Sequence, residues 1–146
     1  MNDTMTQADK LGQSVSHLFN LYNAWAKKKG LNYNYLAILH TLVRLHTCTQ
    51  KQIGTLWALP KQTISMACQK LHADGLIDYL PSENDKREKV LTLTEQGKTL
   101  AYPLIDELDV LELVTTKQFG NQRLAQTLQN LQAYNQILSQ VMNIAD

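Results

Sequence analysis

Apolar residues recur at steps of three and four positions in two long stretches, one near each end of the chain. In the first stretch, residues 7–29, the repeating positions are Leu11, Val15, Leu18, Tyr22 and Trp25. In the last stretch they are Leu124, Leu128, Leu131, Asn135, Leu138 and Met142. This spacing places the repeating residues on one side of an α-helix. The pattern therefore predicts an amphipathic helix near each end, the second with a coiled-coil-like seam that one polar residue, Asn135, interrupts.

Shorter helical patterns occupy residues 34–45, 50–58 and 61–74. Thr49 and Gln52 have the spacing of a capping box, in which each side chain satisfies a backbone N–H at the start of the second of these helices. The break before the third helix falls at a proline, which is compatible with the first position of a helix. Two short helices joined in this way predict a helix-turn-helix, whose second helix enters the major groove of DNA.

The helix over residues 61–74 has one face suited to reading base pairs. Ile64, Cys68 and Leu71 share the inward side, which leaves a polar and mostly uncharged face opposite them. Glutamine amides on such a face hydrogen-bond base edges, while flanking lysines reach phosphates. We therefore predict DNA contacts for Lys61, Gln62, Thr63, Ser65, Met66, Gln69 and Lys70. The alternative is an ordinary exposed helix face, although such faces usually carry more Glu and Lys.

A charged segment at residues 85–89 lies between two short strand-like stretches, residues 76–80 and 90–93. The loop between the stretches is longer than a tight hairpin requires, which indicates that its tip has a function. We predict a wing that contacts DNA through Asp85, Lys86, Arg87 and Lys89. In this interpretation the aspartate orients the arginine toward the minor groove and the two lysines contact phosphates. A solvated turn is the alternative.

Length and composition limit the class of protein. A chain of 146 residues forms one domain with a modest core, or a small domain plus the helices of an oligomer interface. No apolar run approaches the roughly 18 residues of a membrane-spanning helix, and the polar start lacks the features of a secretion signal. We therefore expect a cytoplasmic protein with no membrane partner. Two cysteines, Cys48 and Cys68, are too few for a disulfide framework and are expected to be reduced.

The charge distribution distinguishes the part of the chain expected to contact DNA from the part expected to form a dimer interface. The formal net charge is +1, but residues 99–146 carry two Lys/Arg against five Asp/Glu, so this third is a poor candidate for contacting phosphates. A long helix is predicted from Thr94 to about Leu113, before the last helix.

The terminal helices carry more apolar surface than a small winged domain covers, which predicts a homodimer. Its predicted contacts are Leu11, Val15, Leu18, Leu124, Leu128, Leu131, Asn135 and Leu138.

The central part of the chain resembles the MarR family of winged-helix transcriptional regulators. The resemblance rests on Leu56, Leu59, Lys61, Thr63, Ile64, Ser65, Leu71, Gly75-Leu76-Ile77, Asp85-Lys86-Arg87 and the run Leu91-Thr92-Leu93-Thr94-Glu95-Gln96-Gly97. It implies a mainly α fold with a small β-hairpin wing. The winged helix-turn-helix domain would span residues 33–97, and residues 1–32 and 98–146 would form the dimerisation region. Pro60 departs from the family pattern, because it lacks the side-chain acceptor that a small hydroxyl residue offers as a helix cap.

The resemblance also implies a function and two partners, double-stranded DNA and a second copy of the chain. Two recognition helices would enter successive major grooves of a pseudo-palindromic operator, with Arg87 in each flanking minor groove. Family members commonly repress transcription and release DNA when an effector binds. A small-molecule effector would occupy a pocket lined by Tyr22, Trp25, Tyr33 and Tyr35. Aromatic residues of this kind alternatively fill a core.

Other classes of function have less support from the sequence. The motifs of nucleophilic, phosphate-binding or metal-dependent enzymes are not found, so neither catalysis nor a cofactor is expected. The four histidines, His17, His40, His46 and His72, lack the spacing of metal ligands, so no metal is expected. Convergence of His40, His46 and Cys48 at the end of the second helix is the minor alternative. A winged helix used only for protein association remains an alternative, as does a redox-sensing regulator that acts through Cys48 or Cys68.

Overall fold

The computed structural model describes residues 4–84 and 87–144 and shows a mainly helical chain with a small antiparallel sheet, as predicted. In chain order, the elements of these residues are α1 (Gln7–Lys28), α2 (Tyr33–Leu45), β1 (Thr47–Thr49), α3 (Gln50–Trp57), α4 (Lys61–Ala73), β2 (Ile77–Pro81), β3 (Lys89–Leu93), α5 (Glu95–Phe119) and α6 (Asn121–Val141). The predicted helix-turn-helix corresponds to α3 and α4. The predicted wing corresponds to the hairpin of β2 and β3.

Strand β1 is an element that the sequence pattern did not indicate. Its three residues pair antiparallel with β3, and Cys48 lies opposite Leu91. Because β2 pairs with the other edge of β3, the strand order is β1-β3-β2. Strand β1 therefore connects the base of the wing to the segment of the chain immediately before α3.

The core of the amino-terminal unit lies between the helices and one face of the sheet. Contacts divide the chain into two compact units, Met1–Pro103 and Leu104–Asp146. In the first unit, fully buried side chains come from α2, α3, α4, β2 and β3: Ile38, Leu39, Leu42, Ile53, Ile64, Leu71, Ile77 and Leu91. Burial of these aliphatic groups stabilises the arrangement by roughly 1.5–3 kcal/mol for each side chain. The orientation of α4 and the wing therefore depends on one shared core.

Hydrogen bonds of Thr94 connect the turn after α4 to the start of α5. The Thr94 hydroxyl donates to the Gly75 carbonyl (2.6 Å) and accepts from the Gly97 N–H (2.9 Å), so one side chain caps α5 and holds the preceding turn. The backbone N–H of Thr94 also donates to the Leu76 carbonyl (3.1 Å). A Cβ atom on Gly97 would overlap that same carbonyl oxygen. This geometry explains why threonine and glycine stand three residues apart at the beginning of this helix.

The carboxyl-terminal unit contains the end of α5 and all of α6. The first of these helices extends to Phe119, six residues beyond the predicted end, and Gly120 separates the two helices with a positive φ of 104°. The Arg123 guanidinium lies 4.4 Å from the centre of the Phe119 ring, which packs the turn between the helices. Within residues 4–84 and 87–144, no helix has the length and apolar character needed to cross a membrane.

Candidate nucleic-acid interface

The turn between α3 and α4 has a backbone geometry that allows close approach of the two helices. Ala58 adopts a left-handed conformation (φ 50°), and the Leu59 N–H donates to the Gly54 carbonyl (3.0 Å). A Cβ atom on Gly54 would lie 3.1 Å from the Leu59 carbonyl oxygen, so the turn leaves little space for a side chain there. The other end of α3 carries the predicted capping box of Thr49 and Gln52, with hydrogen bonds of 3.1 and 2.8 Å.

A partly buried polar contact, which the sequence did not indicate, fixes α3 against α2. The Trp57 indole N–H donates to the Thr41 hydroxyl (2.7 Å), which in turn donates to the Ala37 carbonyl (2.7 Å). The His40 and Trp57 rings meet edge to face, with centroids 5.5 Å apart. The partners lie 16 residues apart in the chain, so only the folded helices bring them together. The first helix of the helix-turn-helix is thereby held in a defined orientation.

Helix α4 has one buried and one exposed face, divided as the sequence suggested. Ile64, Ala67, Cys68 and Leu71 are buried, and Met66 is 63% exposed on the opposite side. The other predicted reading residues follow the same division: Lys61, Gln62, Gln69 and Lys70 are exposed, and Thr63 and Ser65 are half-buried. The exposed row formed by residues 62, 66, 69 and 73 carries no charge. It offers amide hydrogen bonds and apolar contact to whatever lies against it.

The amino terminus of α4 begins without a side-chain cap. Pro60 is the N-cap residue itself, rather than the first helical position that the sequence suggested, and its side chain makes no capping hydrogen bond. Beside it, a cleft of about 570 Å³ between α3 and α4 is lined in part by Lys51 and Lys61. At the other end of α4, Lys70 forms an exposed ion pair with Asp74 (3.1 Å). Of the two predicted phosphate-binding lysines of α4, Lys61 is therefore the better placed to meet an anion.

The wing is an exposed hairpin end, and its stem contacts the rest of the domain. Arg87 is exposed in the turn, and the Ser82 N–H donates to the Glu88 carbonyl (3.2 Å) across the loop. The Lys89 ammonium group lies 5.2 Å from the centre of the Tyr79 ring. Asp85 and Lys86 lie outside the residues that the structure describes, and so does the predicted contact between Asp85 and Arg87.

The four aromatic residues predicted to line an effector pocket are all half-buried near the contact of α1 with α2. Tyr33 is joined to α1 by two groups that the sequence did not indicate. Its ring lies 4.3 Å from that of Phe19, and its backbone N–H donates to the Asn23 side-chain oxygen (3.0 Å). Burial raises the pKa of the Tyr33 phenol. The Lys29 ammonium lies 5.5 Å from the centre of the Trp25 ring. Contacts of this kind are typical of two packed helices. They do not test the predicted effector pocket, which stays a prediction.

The two cysteines are buried thiols. Cys48 is 2% exposed and Cys68 is fully buried. Burial raises the pKa of Cys48 to about 11, and burial together with the neighbouring Cys48 raises the pKa of Cys68 to about 12. Because the thiolate is the reactive form, such groups are unreactive near neutral pH. Among the described residues, no group of three or more His, Cys, Asp and Glu side chains is arranged to hold a metal ion.

The predicted dimerisation residues lie on helix surfaces that the single chain leaves largely uncovered. On α1, Val15 and Leu18 are exposed and Leu11 is half-buried. None of the described residues of α6 is buried. Leu124, Leu128 and Asn135 are exposed on that helix, and Leu131 and Leu138 are half-buried. Ile137 and Val141, which were not predicted, add to its exposed apolar surface.

A helix-turn-helix followed by a hairpin wing defines the winged-helix class, and comparison with known proteins identifies the family within it. A model of the MarR family matches residues 29–88. The structure is similar over 95% of the chain to NMB1585, a MarR family regulator from Neisseria meningitidis, with 35% identity, a TM-score of 0.86 and 98% of that protein covered. The chain therefore belongs to the MarR family of transcription regulators.

Two more distant structures share the fold. A MarR mutant from E. coli complexed with operator DNA has 17% identity and a TM-score of 0.71, covering 91% of this chain and 99% of that one. The PcaV regulator from Streptomyces coelicolor, in complex with its natural ligand, has 18% identity and a TM-score of 0.71, covering 93% and 96%. No curated protein sequence matches the chain.

Proposed function

We propose that this protein is a sequence-specific DNA-binding repressor that acts in the cytoplasm as a homodimer on a pseudo-palindromic operator and leaves it when a small molecule binds. One observation carries the proposal: the exposed, uncharged row on α4 lies in the same compact unit as the wing that carries Arg87 and Lys89. A regulator of this family that has an operator complex, the E. coli MarR mutant, supports the choice of DNA as partner.

Helix α4 would read the major groove. Gln62 and Gln69 carry amides that pair bidentately with adenine, and Met66 offers apolar contact to a thymine methyl group. Residues 62 and 69 are seven positions apart, which is roughly 10 Å along a helix and about three base-pair steps. The uncapped N–H groups after Pro60, with Lys61 beside them, suit a backbone phosphate. Base reading and phosphate anchoring would thus be divided between the face and the start of one helix.

The wing would bind beside the recognition helix. Arg87 is exposed at the turn and Lys89 begins β3, so both cations lie at the end of the hairpin. A guanidinium suits a narrow minor groove, where the negative potential is enhanced, and an ammonium suits a phosphate. Half to two-thirds of protein–DNA hydrogen bonds go to phosphate and sugar, so these contacts would fix the register in which α4 reads bases.

The second copy would cover the apolar surfaces of the terminal helices. Leucines and other apolar residues of α1 and α6 are exposed in the single chain, at the spacing of a helix seam. Apolar rows of this extent are unusual on a monomer surface. A symmetric dimer would bury them and would present two copies of α4 to the two halves of a pseudo-palindrome.

An effector would act by changing the spacing of the two recognition helices. The PcaV regulator binds a natural ligand, and the aromatic residues at the contact of α1 with α2 are the candidate lining in this chain. A ligand shifts such an equilibrium only as far as it binds one arrangement better than the other. The raised thiol pKa values of Cys48 and Cys68 favour a bound ligand over oxidation as the signal.

Selection of bound fragments from random DNA, followed by binding titrations across salt concentrations, tests the proposal. We expect an inverted repeat and an affinity that falls log-linearly with salt, because bound cations displace counterions from phosphates. Arg87→Ala should weaken binding by about tenfold while the dimer persists. Lys117→Ala, which removes an exposed cation from the acidic carboxyl-terminal third, is the matched control and should leave the affinity unchanged. A chain that enriches no sequence and shows no salt dependence would instead support a winged helix for protein association.

A further inference from the structure

Tyr79 lies where the core side of the hairpin passes into the wing. On this face Ile77 is buried opposite Leu93, whereas two pairs further along, Pro81 is exposed opposite Lys89. Tyr79 stands between these pairs and is half-buried. Tyr79 is therefore the last residue on this face of β2 that still packs against the domain. The other side of its ring faces the wing.

The Tyr79 ring contacts three separate elements. The His72 ring, in the last turn of α4, has its centroid 4.9 Å from that of Tyr79 at an angle of 51°. The Lys89 ammonium group lies 5.2 Å from the ring centroid on the wing side. Burial and, to a smaller extent, the neighbouring Cys68 raise the pKa of the Tyr79 phenol, and a hydrogen bond with the Gln50 side chain at the start of α3 lowers it. One side chain therefore joins both helices of the helix-turn-helix to the wing.

We propose that Tyr79 is a positioning residue that fixes the wing relative to the recognition helix, so that Arg87 and α4 engage one DNA site as a preorganised pair. Without the ring, the stem of the wing would lose its contact with His72, and the wing would have to be ordered when DNA binds. That ordering lowers affinity even though no DNA contact has been removed. Aromatic pairs and cation–π contacts at exposed sites each contribute modestly, so the effect should be moderate. This inference rests on the proposed DNA binding.

A double-mutant cycle with the wing arginine separates positioning from simple stabilisation. Tyr79→Leu should weaken binding to the selected operator by about fivefold in the wild-type background. In an Arg87→Ala background the same change should cost about twofold or less, because the contact that the ring positions is already absent. Tyr79→Phe keeps the ring beside His72 and Lys89 and should bind within about twofold of wild type. Thermal unfolding of each variant measures its stability independently.

Each outcome of the cycle decides a different point. Equal losses in both backgrounds would mean that Tyr79 acts apart from the wing, and the inference would be overturned while DNA binding stood. If Tyr79→Leu does not fold, His72→Ala removes the α4 side of the contact from an exposed position, and it should show the same dependence on Arg87. A wild-type protein that binds no DNA would overturn the proposed function itself, and with it any positioning of a DNA contact.

Discussion

Helices α4 and α6 are both amphipathic, yet they leave opposite kinds of surface uncovered. Helix α4 buries Ile64, Cys68 and Leu71 within its own unit and exposes a polar row. None of the described residues of α6 is buried, and its exposed residues include leucines at seam spacing. The uncovered side of α4 suits a polar partner with hydrogen-bonding edges. That of α6 suits a second apolar helix face, because burying it removes hydrocarbon from water.

Hydrophobic periodicity alone does not determine what a helix packs against. An apolar stripe on α4 completes the core of one chain, whereas a similar stripe on α6 is left largely exposed by the described residues of the same chain. The chemistry of the opposite face and the position in the fold make the distinction. Variants on both helices test this distinction.

The largest effect is expected from a charge in the middle of the α6 seam. Leu128 is 55% exposed, and a symmetric dimer would bury two copies of it, each contributing roughly 1.5–3 kcal/mol. Leu128→Glu should therefore raise the dimer dissociation constant by about 100-fold or more. Analytical ultracentrifugation across protein concentrations measures the change. Gln129→Glu adds the same charge one position away from the predicted seam, and it should leave the dimer intact. A folded Leu128→Glu protein that remains fully dimeric would show that α6 is not the interface.

The buried face of α4 should give its own pH dependence. Burial raises the pKa of Cys68 from 9.0 to about 12, so the unfolded chain releases this proton at lower pH than the folded chain. The stabilising contribution is complete below pH 9 and is lost as pH rises from about 9 to about 12. By pH 10.5, wild type should lose about 2 kcal/mol of unfolding free energy relative to Cys68→Ala.

Urea unfolding at pH 8 and pH 10.5 measures this difference. Cys68→Ala should be less stable than wild type at pH 8 because it leaves a cavity, and its stability should fall less between pH 8 and pH 10.5. Met66→Ala changes the exposed face of the same helix and serves as the control, with the pH dependence of wild type. Parallel pH profiles for wild type and Cys68→Ala would contradict the burial of an ionisable thiol at this position.

Much of the fold could be predicted because its information is local. The capping box of Thr49 and Gln52, the apolar spacing of the helices and the division of α4 into two faces each depend on residues within a few positions of one another. The same holds for the hairpin wing, whose two strands are consecutive. Belonging to the MarR family and the winged-helix fold were therefore accessible from the sequence.

The missed features depend on distant partners or on competing local preferences. Strand β1 has three residues, and its partner β3 lies more than 40 positions away, so no alternating pattern reveals it. Helix α5 continues past Leu113 through Val114, Thr115 and Thr116, which are β-branched and have low helix propensity. The Thr115 hydroxyl donates to the Leu111 carbonyl (2.8 Å), which satisfies it within the helix. The contact between Trp57 and Thr41 likewise exists only after α2 and α3 have packed.

The exposed, uncharged row of α4 should determine which bases the protein prefers in each half-site. A good bidentate pair contributes about 1–3 kcal/mol of discrimination, so Gln62→Ala and Gln69→Ala should each relax selection at one position of the half-site. The matched change Lys61→Ala should weaken binding to all sequences alike and reduce the salt dependence. Repeating the fragment selection with each variant measures both effects. Equal losses on operator and random DNA for the glutamine variants would indicate backbone contacts only.

The smallest predicted effect concerns Met66, the apolar residue at the centre of the polar row. It is 63% exposed, so the fold does not account for its position, whereas a thymine methyl group in the major groove would. Removing one methyl group from an apolar contact costs about 0.8 kcal/mol, which is roughly a fourfold change in affinity. Replacing thymine by uracil, one position at a time, should produce this loss at one site of each half-operator.

The variant Met66→Ala tests whether Met66 is responsible for the affinity lost when thymine is replaced by uracil. In the variant, the thymine and uracil operators should bind equally well at the sensitive position, because the partner of the methyl group has been removed. Ser65→Ala, at the neighbouring half-buried position, should retain the difference between the two bases. A loss that persists in Met66→Ala would assign the methyl contact to another side chain. A wild-type protein indifferent to every replacement would mean that α4 reads its bases through hydrogen bonds alone, with the uncovered methionine outside the interface.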